Sequence, residues 1–182
     1  MTASKTDPTR GPAVQLDRYT PAYFTFIANK LARGASSHYL ESYGVGIETW
    51  RVMVMLAIEK SVTAQRVCQL IGMDKGSVSR TFKSMHTKGF IEFSSDTQDG
   101  RLRYATFTAT GRQLHDRIMR LALERETAFL SVLSAQEIDT LIDLLRRLHE
   151  NLPNVEMATD AYVVEEKASM KKSSPKKKAR KT

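Results

Sequence analysis

From residue 20 onward, apolar side chains recur at helical spacing in six segments, and each segment is bounded by capping residues or glycine. The first opens at Thr20-Pro21, an N-cap followed by the residue best suited to a first helical position. It carries Phe24, Ile27, Ala28, Leu31 and Ala35 toward Leu40, and ends before Gly44 and Gly46. The second runs from about Glu48 to Glu59 with Trp50, Val54, Ala57 and Ile58 on one side. Thr63 caps a short third helix whose Val67, Leu70 and Ile71 should face inward and whose end is marked by Gly72. The fourth spans Asp74 to Lys88 and stops at Gly89. At about 100° per residue, Val78, Phe82 and Met85 share one side of it, and Gly76, Arg80, Lys83, Ser84 and Thr87 lie opposite.

The period then changes from helical to alternating. Phe90 to Ser94 and Arg101 to Thr108 are β-prone runs around a polar loop that holds the Asp99-Gly100 turn signal, which predicts a hairpin with an exposed tip. A long fifth helix, about Ala109 to Leu133, carries an apolar stripe of Leu114, Ile118, Leu121, Ala122, Phe129 and Val132. Ser134 to Glu137 form a capping box that starts a sixth helix with Ile138, Leu141, Leu144, Leu145 and Leu148 inward. The fold class is therefore mainly α with a small β-hairpin (α+β): two short capped helices about one turn apart, followed by the hairpin, make a winged helix-turn-helix. The first, fifth and sixth helices offer more apolar surface than so small a domain can cover, so a helical dimerisation lobe and an obligate homodimer are expected.

Composition adjusts this picture in three places. The stretch Lys167 to Lys181 holds eight positive charges and no acids, which equals the whole net charge of +8, so the pI near 9.7 says nothing about a binding face in the folded part. The single Cys68 has no internal partner and no N-terminal apolar run resembles a signal peptide, so a reducing cytoplasm is the expected setting. No run of about 18 apolar residues exists, and no membrane partner is expected. The predicted organisation is a flexible segment over 1–18, an N-terminal dimerisation helix over 19–46 and the winged domain over 47–109. C-terminal dimerisation helices over 110–153 and a disordered basic tail over 154–182 complete it. That tail is expected to add sequence-independent affinity for DNA, with a merely solubilising role or an address signal as alternatives.

A recognition helix needs short residues near its start and polar or cationic groups outward. Lys75, Gly76, Ser77, Ser79, Arg80 and Lys83 meet that requirement. Arg80 is the leading base reader because a guanidinium bonds bidentately to guanine, and Lys83, Ser84 and Thr87 suit phosphate. At the hairpin, Arg101 is placed to enter a narrow minor groove, and Asp99 to orient Arg101 or Arg103.

Trp50-Arg51-Val52, Ser79-Arg80, Lys88-Gly89-Phe90-Ile91 and Asp99-x-Arg101-x-Arg103 running through Thr108-x-x-Gly111 together resemble the MarR family, the multiple antibiotic resistance regulator type. The resemblance covers about residues 20–152 and implies a bacterial or archaeal cell, where the protein would be associated with the nucleoid. It implies two-fold dimers built through the first, fifth and sixth helices, pseudo-palindromic double-stranded operators, and in most cases repression, here of a catabolic or efflux operon. It also implies release by small phenolic or aromatic carboxylate ligands, or in some members by oxidation of a cysteine. Cys68, inside the third helix, reads as a small core residue instead. The implied ligand site lies among the first, second and fifth helices, which supply Tyr23, Asn29, Arg33, Ser36, Ser37, His38 and Tyr39, then Trp50 and Arg51, then His115. An aromatic acid needs a flat wall and one or two donors, but Trp50 and Tyr39 also suit core packing and Arg51 a structural ion pair. His38, His86, His115 and His149 have no metal-ligand spacing, and no cofactor is expected. Nothing in the sequence cues an enzyme's nucleophile or paired acid and base. The competing reading is a nucleoid-type architectural protein whose affinity comes mostly from the tail.

Overall fold

A computed structural model of the chain describes residues 14–95 and 103–173. The expected flexible start to residue 13, the hairpin tip from Asp96 to Leu102 and the last nine residues of the basic tail lie outside the described residues. Ten elements follow in order: α1 (Thr20–Tyr43), α2 (Ile47–Glu59), β1 (Ser61–Val62), α3 (Ala64–Ile71), α4 (Lys75–Thr87), β2 (Ile91–Ser95), β3 (Arg103–Phe107), α5 (Ala109–Leu130), α6 (Ala135–Glu150) and α7 (Leu152–Ser173). They fall into two compact units, the first ending at Arg125 and the second beginning at Glu126, so that α5 is continuous through the division.

In the first unit the caps foreseen in the sequence are made. Thr63 Oγ1 accepts the Arg66 amide at 3.2 Å, and Asp74 Oδ1 accepts the Ser77 amide at 2.9 Å, each satisfying a donor that a helix start leaves open. Gly72 closes α3 in the left-handed conformation at φ 70°, which turns the chain directly into α4. The start of α1 differs from expectation. Thr20 is already helical and Tyr19 precedes it without a side-chain cap bond, so Pro21 carries that terminus by its fixed φ.

The core is built by Val52, Met53 and Leu56 of α2, Val62 of β1, Val67 of α3, Val78, Phe82 and Met85 of α4, Ile91 and Ala105 of the sheet, and Ile118 of α5. Here α2 departs from the sequence reading. Its inward residues are Val52, Met53, Met55 and Leu56, whereas Ile58, expected inside, is exposed. The helix is apolar almost all round, so periodicity alone does not fix its face; contacts with neighbouring elements do. Leu70 is likewise exposed, because eight-residue α3 buries only Val67 fully.

The sheet has three antiparallel strands in the order β1-β3-β2, one more than the predicted hairpin. Val62 and Phe93 both register with Ala105 of the central strand. At the base of this hairpin, Gly89 adopts φ 70° and the Phe90 amide returns to the Met85 carbonyl at 2.9 Å. Thr108 Oγ1 donates to the Gly89 carbonyl at 2.6 Å and accepts the Gly111 amide at 3.0 Å. A Cβ on Gly111 would run into the Phe90 carbonyl oxygen, so only glycine lets α5 sit this close to the chain entering β2.

In the second unit, Ser134 and Glu137 make the predicted capping box at the start of α6. No residue of α6 is buried, and Ile142, Leu144, Leu145 and Leu148 stand exposed. The segment from residue 154, read from sequence as disordered, instead continues as α7 as far as Ser173. Its Ala, Glu, Met and Lys content favours helix without an apolar stripe, which is why a search for periodicity passes over it. No helix among the described residues is long and apolar enough to cross a membrane.

Candidate nucleic-acid interface

Four positions of α4 hold it against the core. Val78, Phe82 and Met85 are buried as expected, and buried Thr81 joins them. That anchors the opposite side, where Lys75, Gly76, Ser79, Arg80, Lys83, Ser84 and Thr87 are all exposed and Ser77 is half-buried. A cationic and hydroxylic face with no bulky apolar side chain is what a groove-reading helix requires.

The charged groups on this face are ordered by one another. Arg80 Nη2 donates to Ser77 Oγ at 2.9 Å, which folds the guanidinium back along the helix over Gly76. Hydrogen bonding from Ser77, whose amide donates to Oδ1 at 2.9 Å, with smaller help from the Arg80 charge and the Gly76 amide, holds the Asp74 carboxyl below its ordinary range. Asp74 is therefore an anion throughout the neutral range. Beside this cluster an open cleft of about 380 Å³ is lined by Gly46, Glu48 and Thr49 at the start of α2 and by Ser77, Arg80, Thr81 and Ser84. Sequence periodicity gave no sign that Glu48 and Thr49 border the outer face of α4, because tertiary packing of α2 on α4 places them there.

Of the hairpin residues, Arg103 lies on β3 with its guanidinium carbon 4.3 Å from the centroid of the Phe93 ring. Phe93 packs in turn against Phe82, at 5.9 Å between centroids, and edge-on against His86 at 5.2 Å. The stem of the wing is thereby fixed to the recognition helix through one aromatic side chain. His86 Nδ1 also lies 3.1 Å from the Ile91 carbonyl oxygen, closing the corner. Asp99 and Arg101 lie outside the described residues.

The expected ligand pocket is divided. Tyr39, Trp50 and His115 meet in a packed cluster: Trp50 stacks on His115 at 5.4 Å, and Tyr39 tilts against Trp50 at 5.9 Å. Phe107 completes it at 5.7 Å from His115. Tyr39 and His115 are 2% and 3% exposed, so this wall is core. Burial pushes the Tyr39 hydroxyl up from its ordinary pKa, and His115 Nδ1 lies 2.8 Å from the Asp116 carboxylate. Asn29, Arg33 and Ser37 instead share an open groove of about 580 Å³ on α1 with Phe26, Lys30 and Gly34. Tyr23 and His38 are exposed on α1, and Arg51 is half-buried with no ion pair among the described residues. Cys68 is half-buried at the edge of the core.

The description MarR family fits the chain over residues 43–102. A MarR/EmrR family transcriptional regulator from Acinetobacter sp. ADP1 superposes with a TM-score of 0.72 at 30% identity, over 78% of this chain and 99% of that one. The HTH-type transcriptional regulator YwaE of Bacillus subtilis (strain 168) is 23% identical over 125 residues, which is 69% of this chain and 73% of its own. A cysteine-to-serine variant of MarR from E. coli, complexed with operator DNA, shares the fold at a TM-score of 0.64 and 17% identity, over 75% of this chain and 99% of its own. The chain belongs to the MarR family of winged helix-turn-helix transcriptional regulators and is a DNA-binding protein.

Proposed function

We propose that the chain works as a homodimer that reads a pseudo-palindromic duplex operator, with α4 in the major groove and the wing in the adjacent minor groove, and represses a catabolic or efflux operon. The observation that carries this reading is the α4 face, where Arg80, Lys83 and Ser84 stand exposed opposite a fully packed inner side. In it Arg80 reads a base, Lys75, Ser77, Ser79, Lys83 and Ser84 hold phosphates, and Arg101 and Arg103 contact DNA from the wing with Asp99 orienting them. Residues 47–109 form the reading module, with dimer contacts from 19–46 and 110–153. Exposed Phe24, Ile27 and Leu31 on α1, with Leu144, Leu145 and Leu148 on α6, are the apolar surface that a second copy would cover. The E. coli relative's operator complex supports the same use of the fold.

The test begins with the duplex that the full chain enriches from a randomised pool, compared with a scrambled duplex of the same composition. Arg80→Ala is expected to lose about 1–3 kcal/mol of discrimination while keeping its affinity for the scrambled duplex, and Lys83→Ala to weaken both equally. Equal losses on both duplexes for Arg80→Ala overturn the base-reading role. An architectural protein driven by its tail would bind both alike and lose binding on removal of residues 167–182.

Release by a small aromatic acid fits the cationic groove on α1, where Arg33 and Lys30 supply carboxylate donors and Phe26 an apolar edge. Such a ligand shifts DNA binding only if it favours one spacing of the two recognition helices over the other.

A further inference from the structure

Arg80 lies where an arginine on the first turns of a helix ought not to rest. The amino end of α4 carries the positive end of the peptide dipoles, which repels a cation folded back toward it. Two things offset that repulsion here. Asp74, the N-cap, supplies an anion held in its charged form. Ser77 bridges the two: its amide donates to Asp74 Oδ1 at 2.9 Å, and its hydroxyl oxygen accepts from Arg80 Nη2 at 2.9 Å.

The third requirement is space, and it falls on Gly76. A Cβ at that position would sit 3.1 Å from Asp74 Oδ1 and 3.2 Å from Arg80 Nη1, between the two charged groups. Gly76 has an ordinary helical backbone, with no positive φ to demand glycine. Alanine would be the better helix former there, so the bare position is explained by what crosses it.

We propose that Gly76, Ser77 and Asp74 are positioning residues that hold the Arg80 guanidinium over the first turn of α4 before DNA arrives, so that position 76 helps to set specificity at the base Arg80 reads. This rests on the reading of Arg80 as a base contact. A long arginine side chain fixed in advance has less freedom to lose on binding, and a fixed guanidinium meets one pair of acceptors in preference to others. Gly76 thus acts through Arg80, which is distinct from clearing room for the backbone to approach the groove.

The two roles separate in a double-mutant cycle on the full chain, using the pool-enriched duplex and its scrambled counterpart. Gly76→Ala is expected to raise or keep the melting temperature yet lower the ratio of enriched to scrambled affinity by about fivefold or more, with no further loss when added to Arg80→Ala. Ser77→Ala is expected to lower the same ratio and Ser77→Thr, which keeps the hydroxyl, to restore it. In the free chain, the nitrogen resonances of the Arg80 guanidinium should shift in Ser77→Ala. If Arg80→Ala loses discrimination and Gly76→Ala keeps it, the positioning role is overturned and the base contact stands. If Gly76→Ala costs as much in the Arg80→Ala background as alone, glycine serves backbone approach and the proposal again fails. Equal losses on both duplexes for Arg80→Ala would remove the underlying reading itself.

Discussion

The Lys88 ammonium donates a hydrogen bond to the carbonyl oxygen of Gly44 at 2.9 Å, joining the end of the recognition helix to the end of α1. Gly44 is the left-handed cap that terminates α1, and its carbonyl lies at the negative end of that helix. One cation therefore satisfies a helix C-terminus and ties the end of α4 to a helix whose own apolar residues stand exposed. Lys88→Met, which keeps the stem and removes the charge, is expected to lower stability by about 0.5–1 kcal/mol in urea unfolding. Amide exchange should quicken at the end of α4. Unchanged exchange there would show that the tie does not restrain α4.

Gly111→Ala is expected to cost about 3 kcal/mol, at the upper end of overpacking effects, because the obstacle is the Phe90 carbonyl and not a side chain that can swing aside. Thermal unfolding checks it. Thr108→Val removes both the bond to the Gly89 carbonyl and the acceptor for the Gly111 amide, and should cost about 1 kcal/mol.

Acid should destabilise the chain through a small set of carboxylates. Glu59 is held below its ordinary pKa by hydrogen bonds from Arg66, Asp74 by Ser77, and Glu137 by the amide and hydroxyl of Ser134. Each folded value lies below the unfolded one. Their stabilisation is thus complete above the ordinary carboxylate range near pH 4 and is lost as pH falls through the lowered values. Asp74 and Glu137 are exposed and Glu59 is half-buried beside an exposed Arg66, so salt screens the charge part. Glu59→Gln should flatten the fall in melting temperature between about pH 5 and pH 3, and an unaltered slope would exclude the Arg66 pair as a contributor.

An aromatic acid held on α1 should be sensed differently from one held at the aromatic cluster. Trp50 is the single tryptophan and does not line the groove of Asn29, Arg33 and Ser37. Benzoic, phenolic or cinnamic acids bound in that groove are expected to raise the melting temperature and to lose the effect in Arg33→Ala, leaving Trp50 emission unmoved. A shift of that emission during titration would place the acid at Tyr39, Trp50 and His115 instead.

Much of the reading module is legible in the sequence because its signals are local. Thr63, Asp74 and Ser134 announce helix starts by side-chain chemistry, and Val78, Phe82 and Met85 fix the face of α4 by spacing alone. The failures have physical causes of the opposite kind. A two-residue strand at Ser61–Val62 has no period to detect and exists only because β3 offers it partners. The inward face of α2 is chosen by neighbours on several sides, which an apolar helix does not encode. Tyr39, Trp50 and His115 come from three separate helices, and their spacing along the chain says that they could meet without saying whether they would enclose a space or fill one. Arg80 was legible as a cation on the outer face, but its direction depends on Asp74, Gly76 and Ser77 together.

Hydroxyl-radical footprinting of the full chain on the duplex it enriches from a random pool reports the docking geometry of both subunits at once. Two equal protected patches on one side of the duplex, centred about 34 Å apart, are expected for paired recognition helices in successive major grooves, with both patches weakened for Arg80→Ala and Arg101→Ala together. A single patch, or uniform protection that persists on the scrambled duplex, would contradict a dimeric, sequence-reading regulator.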